Sequence, residues 1–267
     1  MRIIITILLA AGVLSAEAQK LPGVQQASVK APANIKIDGK ADEWADRFEA
    51  YNPATELWYT IANDDKRLYL TILANNQSTY GVVNRIIASG LTFTVANNKV
   101  KGSKGVSVTY PVTGDPQIHF FSFFSNNEGV SIAATDSVIK MYNLKLEKLF
   151  KLIKVEGVTG MDTISVYNEV GIEASEKFDI KKNYTIELSI PIALVRNQIN
   201  TTNTLSYKIT IRGGKATIFD TNSARIEGGG SEPAVVKMRD DIVSAINRMD
   251  AVYKSSTDFW GEYTLAK

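Results

Sequence analysis

Apolar and polar positions alternate with period two from Leu57 to Ala62 and again from Leu68 to Leu73, on either side of Asn63-Asp64-Asp65-Lys66. Side chains on a strand point alternately to opposite faces, so this pattern predicts two antiparallel strands joined by a short Asn/Asp turn. Leu57, Tyr59 and Ile61 then face a core together with Leu68, Leu70 and Ile72, while Trp58, Thr60, Tyr69 and Thr71 face outward. A turn centred on Asp64-Asp65 sets Trp58 opposite Thr71 and Thr60 opposite Tyr69. That register makes Trp58 and Tyr69 diagonal neighbours, within reach of each other on the outer face.

The same periodicity predicts strands at Leu91–Ala96, Val106–Tyr110, Ile118–Phe124, Ile164–Ile172, Tyr184–Ile190, Leu205–Ile211 and Asp258–Leu265. Phe259, Tyr263 and Leu265 take the inner face of the last strand, which leaves Trp260 outward. Helical spacing appears in four places. Trp44 and Phe48 are four apart in Ala41–Phe48, and Val82, Val83, Ile86 and Ile87 share a face in Tyr80–Ser89. Leu146, Leu149, Phe150 and Ile153 share a face in Leu144–Ile153, which passes into a strand near Leu152–Val155. Ile242, Ala245, Ile246, Met249, Val252 and Tyr253 form a longer stripe over 239–254. Pro191 suits the first turn of a short helix at Ile192–Arg196, where its missing N–H removes no bond. Many strands, turn signals between them and few helices indicate an all-β protein: an antiparallel β-sandwich with a C-terminal amphipathic helix.

The chain has 267 residues. Arg2, the apolar run Ile3–Val13 and the small residues around Ala16-Glu17-Ala18 read as a secretory signal peptide over 1–18, too short to span a bilayer. The remainder, 19–267, has the length of one all-β domain and needs no second unit. No cysteine is present, so neither a disulfide nor an anchor on a terminal cysteine is available. The expected compartment is periplasmic or extracellular, in a bacterial host. A net charge of +2 argues against a general nucleic-acid binder, and no later segment reads as a membrane span.

The residues IDGKADEWAD from Ile35, then NDDKRLYLTI, then YTIELSIPIALV from Tyr184, resemble the family 9 carbohydrate-binding modules over 35–110 and 184–212. The resemblance implies an antiparallel sandwich that binds sugars between aromatic rings and carries calcium in structural sites. Val112–Ser175 and Thr217–Thr257 have no counterpart in it.

One histidine, His119, and no cysteine exclude a thiol nucleophile, a zinc cluster and an H-E-x-x-H helix. No phosphate-binding loop or nucleophile elbow occurs either. Asp38, Asp42, Glu43 and Glu187 are candidates for paired glycosidase acids, which makes a glycan-active enzyme the first alternative function. Asp38 also suits the turn ending at Gly39, and Asp38 and Asp42 are candidate oxygen ligands for calcium. The stronger lead is aromatic: Trp58, Tyr69 and Trp260 as flat outward rings on which the apolar face of a pyranose stacks. The main reading is therefore an exported, non-catalytic protein that binds a polysaccharide or oligosaccharide. A structural envelope module using the same aromatic face for a protein partner is the second alternative. The lysine series Lys145, Lys148, Lys151 and Lys154 reads as a solvated helix face, with attraction to an acidic surface as its functional alternative.

Overall fold

The computed structural model describes residues 20–45, 47–75, 81–99, 105–112, 135–214 and 233–267, with the side chains of the last helix described only in part. The leader 1–18, Ile118–Phe124 with His119, and Gly228–Gly230 lie outside the described residues. Among the described residues, eleven strands form two antiparallel sheets. The first runs β1(Ala50–Asn52), β2(Leu57–Asn63), β3(Arg67–Ala74), β9(Tyr184–Pro191), β8(Glu173–Phe178) in spatial order. The second runs β11(Thr257–Thr264), β10(Thr204–Ile211), β4(Leu91–Ala96), β5(Val106–Val112), β6(Leu152–Glu156), β7(Thr163–Ser165). The all-β reading holds, and none of the described helices is long and apolar enough to cross a membrane.

The inward positions of the hairpin do line the core. Leu57, Tyr59, Ile61, Leu68, Leu70 and Ile72 are buried with Ile186, Leu188 and Ile190 of β9 and with Phe93, Val108, Tyr207 and Ile209 of the second sheet. Burying each large apolar side chain contributes on the order of 1.5–3 kcal/mol, so this interleaved layer dominates stability. The register, however, is two residues away from the expected one. Trp58 pairs with Leu73, Thr60 with Thr71 and Ala62 with Tyr69. The cause is Asp64, whose Oδ1 accepts the backbone N–H groups of Lys66 and Arg67 at 2.7 Å each and so moves the centre of the turn one position along. A shift of two preserves which face each residue takes and changes its lateral neighbours.

Four other elements differ from the periodicity. The helix expected from Leu144 begins eight residues earlier, as α2(Asp136–Leu149), with the Thr135 hydroxyl accepting from Val138 N. The strand expected over Ile164–Ile172 stops at Ser165, because Asn168 Oδ1 accepts from Gly171 N and Ile172 N and folds the chain into a turn. The Ala41–Phe48 helix is reduced to a 3-10 turn at Asp42–Trp44, ended by Ala45 in the left-handed region, and Trp44 is half-buried. The last helix is longer than its stripe, α4(Pro233–Lys254). α1(Val82–Ser89) and the single-turn α3(Ile192–Val195) fall where the spacing places them.

The lead-in before β1 is an integral strap. Val29 and Ala31 bond to Asn63 through a short parallel bridge at Lys30. Gln25 is buried, its Oε1 accepting from Ile61 N at 2.7 Å and its backbone N–H donating to the Tyr59 hydroxyl at 3.0 Å. The Tyr59 hydroxyl meets that of Tyr207 from the opposite sheet at 2.8 Å. One polar junction between the sheets is thereby closed on every side.

Candidate functional site

The aromatic residues singled out from the sequence do not form one platform. Tyr69 is only 5% exposed, and its hydroxyl donates to Asp64 Oδ2 at 2.7 Å. Burial and the adjacent Asp64 carboxylate both push its phenol up. Trp58 is half-buried and stacks on its cross-strand partner Tyr51, with ring centroids 4.4 Å apart. Trp260 lies on the other sheet, half-buried under Lys208 Nζ, which sits 5.3 Å from its ring centroid. What the alternation did not carry was which outward rings become neighbours.

The acids of the opening motif meet each other and the sheet. The backbone N–H groups of Asp38 and Gly39 donate to Glu187 Oε2 at 3.0 and 2.9 Å, and the Thr71 hydroxyl lies 3.4 Å from Glu187 Oε1. Gly39 has φ +81°, and a Cβ there would lie 2.6 Å from the Glu176 carbonyl carbon, so only glycine fits. The IDG turn is thus the lid of a buried carboxyl on β9. Glu187 presents no surface to a substrate. Burial raises its carboxyl to about 7 against the lowering by the two N–H donors, with Glu43 and Asp38 adding repulsion. Asp38 and Asp42 lie 4.0 and 3.8 Å from Lys40 Nζ. Among the described residues no group of three or more His, Cys, Asp or Glu is arranged to hold a metal ion.

The concave feature lies elsewhere, where α2 stands off the edge strand β8. A cleft of about 890 Å³ wraps over β8 between α2 and the Asp38–Asp42 turn. Asn143 fixes the helix to the strand: its Nδ2 donates to Phe178 O at 3.0 Å, and its Oδ1 accepts from Phe178 N at 2.8 Å. The amide thereby pairs with the free edge of β8 as a neighbouring strand would. Lys140 and Glu147 of α2 line one wall, Ser175 and Lys177 of β8 the other. At the mouth stands Tyr167, 74% exposed, its hydroxyl accepting from Lys151 Nζ at 2.8 Å and its backbone N–H donating to Ser165 Oγ at 3.1 Å.

A buried carboxyl lines the cleft: Glu176, 6% exposed. It pairs with Ile186 across the ladder and therefore points into the sandwich, where the Tyr110 hydroxyl of the opposite sheet donates to its Oε2. Burial raises its carboxyl to about 8; the Tyr110 bond, Lys151 and Lys177 lower it, and Glu147 raises it. The Tyr184 hydroxyl, buried on β9, makes no hydrogen bond, and its phenol is pushed up by burial, then by Glu176 and Tyr110.

Of the residues lining the cleft, Lys151 belongs to the lysine series and Asp38 and Asp42 to the opening motif; Tyr167 and Glu176 are not among the residues that the sequence singles out. Asn143, Glu147, Tyr167 and Glu176 fall in Val112–Ser175 or just beyond it, outside the family resemblance, whereas Tyr110, Tyr184 and the Asp38–Asp42 turn lie within it, and β8 itself reads EASEKF without apolar alternation. The available signals were Thr135 as an N-cap before Asp136 and the Asn168-Glu169-Val170-Gly171 turn, which together place Tyr167 on a loop facing a helix. Comparison with protein-family models, with curated proteins and with solved structures finds no match.

Proposed function

We propose that this chain is an exported, non-catalytic carbohydrate-binding protein whose ligand lies in the cleft between α2 and β8. The observation that carries the reading is Tyr167 at the mouth of that cleft: an exposed ring held in place by Lys151 beside walls of alternating amide, ammonium and carboxylate groups. A pyranose offers the complementary surface, an apolar face for the ring and a rim of hydroxyls for the walls. Charged and amide side chains hydrogen-bond such hydroxyls, and a rigid aromatic supplies contact area at low entropic cost. Trp58 and Trp260 take no part, being on separate sheets away from the cleft. The exported location rests on residues 1–18.

The test is calorimetric titration of the mature chain with cello-, xylo-, malto- and galacturono-oligosaccharides. At least one should bind, and Tyr167→Ala should weaken it tenfold or more with an unchanged melting temperature, since so exposed a ring carries little packing. Absence of binding across the panel, or full affinity in Tyr167→Ala, overturns the reading. N-terminal sequencing of secreted material should begin at or near Gln19.

The envelope-module alternative has one observation in its favour. Met141 and Leu144 of α2 are 55% and 49% exposed between Lys140 and Lys148, an apolar strip on the side of the helix facing away from the core. A pull-down that depends on Met141 and Leu144, with no saccharide binding, would favour it.

A further inference from the structure

Glu176 is a carboxyl group whose surroundings suit the neutral form. Its side chain lies inside the sandwich, one oxygen taken by the Tyr110 hydroxyl, and the ion pairs among the described residues do not include it. A buried carboxylate without a paired cation shifts toward its protonated state. We propose that the cleft holds its ligand against a neutral Glu176, whose carboxylic O–H donates a hydrogen bond to an acceptor oxygen of the ligand.

The inference rests on the saccharide reading and narrows it. The ligand is a neutral or acidic saccharide, recognised through a hydroxyl, ring or carboxylate oxygen, and not one bearing an ammonium group at that position. Tyr110 donates to Oε2, which leaves Oε1 to carry the proton. The groups facing Glu176 come from every neighbouring element: Glu147 from α2, Lys151 before β6, Tyr167 after β7, Tyr184 from β9 and Lys177 on its own strand. The N-terminal turn presents the Gly39 backbone, with Asp38 and Lys40 on either side of it. The two lysines favour the ionised form and Glu147 opposes it, yet burial exceeds both, and the carboxyl rises to about 8. A carboxylic acid kept neutral near pH 7 serves as a hydrogen-bond donor that an ionised one cannot.

The experiment follows the tightest saccharide of the panel by calorimetry from pH 5.5 to 9.5 on the full chain, beside carboxyl ¹³C NMR of the free protein. Affinity should be flat up to about pH 7 and fall above pH 8 with a limiting slope of about tenfold per pH unit, the linkage of one proton. The Glu176 carboxyl resonance should titrate near pH 8 when free and later when bound. Glu176→Gln keeps an N–H donor in place and should bind within a few-fold at pH 7 with a flat profile. A flat wild-type profile, affinity that rises above pH 8, or a carboxyl that titrates below pH 5 overturns the proposal. A bound saccharide with a flat profile sinks only the role of Glu176, whereas a panel with no binder sinks the saccharide reading as well. The wild-type profile and the NMR titration decide the matter even where the variant does not fold.

Discussion

Among the described residues polar side chains join the two sheets at several places, Tyr263 to Asn63 being one, and two others differ from each other in one respect. At the first, Tyr59 and Tyr207 meet hydroxyl to hydroxyl, and Gln25 of the N-terminal strap supplies a further N–H. At the second, Tyr110 reaches Glu176, but Tyr184 beside them has no partner and the junction borders the cleft. Buried polar groups are normally satisfied, because an unmade bond leaves their full desolvation penalty standing. The closed junction obeys this and reads as structure. The open one departs from it, and such departures concentrate where a fold has been shaped for a ligand. The two junctions thus differ in whether a chain segment seals them, and the ligand reading proposed for the open one rests on that difference.

Substitutions sharpen the contrast. Tyr207→Ala removes a fully buried ring from the closed junction and should cost about 3–5 kcal/mol, the range for large aromatic truncation, read from urea unfolding. A loss below about 1 kcal/mol would show that the junction is peripheral to the core.

Stability should also depend on pH. The Glu176 and Glu187 carboxyls rise from an ordinary value of 4.5 to about 8 and about 7 on folding. The folded chain therefore holds more protons than the unfolded one between these limits. The stability the two groups contribute is complete below pH 4.5 and is lost as pH rises through 7 and 8, by at most about 1.4 kcal/mol per pH unit for each group. The melting temperature should be higher at pH 5 than at pH 8, and Glu176→Gln should flatten the upper part of that decline. A melting temperature that rises from pH 5 to pH 8 in the wild type, unchanged in slope in the variant, would refute this.

One substitution made at both junctions should give opposite outcomes. Tyr59→Phe removes the hydroxyl that joins Tyr207 and accepts from the Gln25 N–H and should cost about 1–3 kcal/mol. Tyr184→Phe removes a hydroxyl that bonds to nothing and should be neutral or slightly stabilising by the same measurement. Equal losses at the two sites would erase the distinction between sealed and open. The smallest effect is expected at the outer aromatic pair. Trp58→Ala loses its stacking on Tyr51, worth about 0.5–1.5 kcal/mol beyond area burial, and should leave binding in the cleft unaltered. Reduced saccharide affinity in that variant would return the site to the face of the first sheet.

Much of the fold was legible in the sequence because alternation is a local property. Tyr184, Ile186, Leu188 and Ile190 face inward as their spacing requires, and the inward hairpin residues do the same. The Asp38-Gly39 turn expected from the sequence is present as well, and its N–H groups close over Glu187. Strand β8 escaped notice because its inward positions are Ala174, Glu176 and Phe178. A carboxyl in the middle of that row breaks the apolar pattern by which an inward face is recognised.

What the sequence alone determined is the parity of the strands whose apolar positions alternate, hence the all-β class and most of its core, since parity follows from backbone geometry one residue at a time. Only the tertiary structure decided lateral neighbours. The Asp64 turn moved the register by two and separated Trp58 from Tyr69. It also decided that a glutamate from β8 meets a tyrosine from β5 at the floor of a cleft. Contacts of that kind join positions 66 residues apart, and no local period reports which distant segments a sheet edge will bring together.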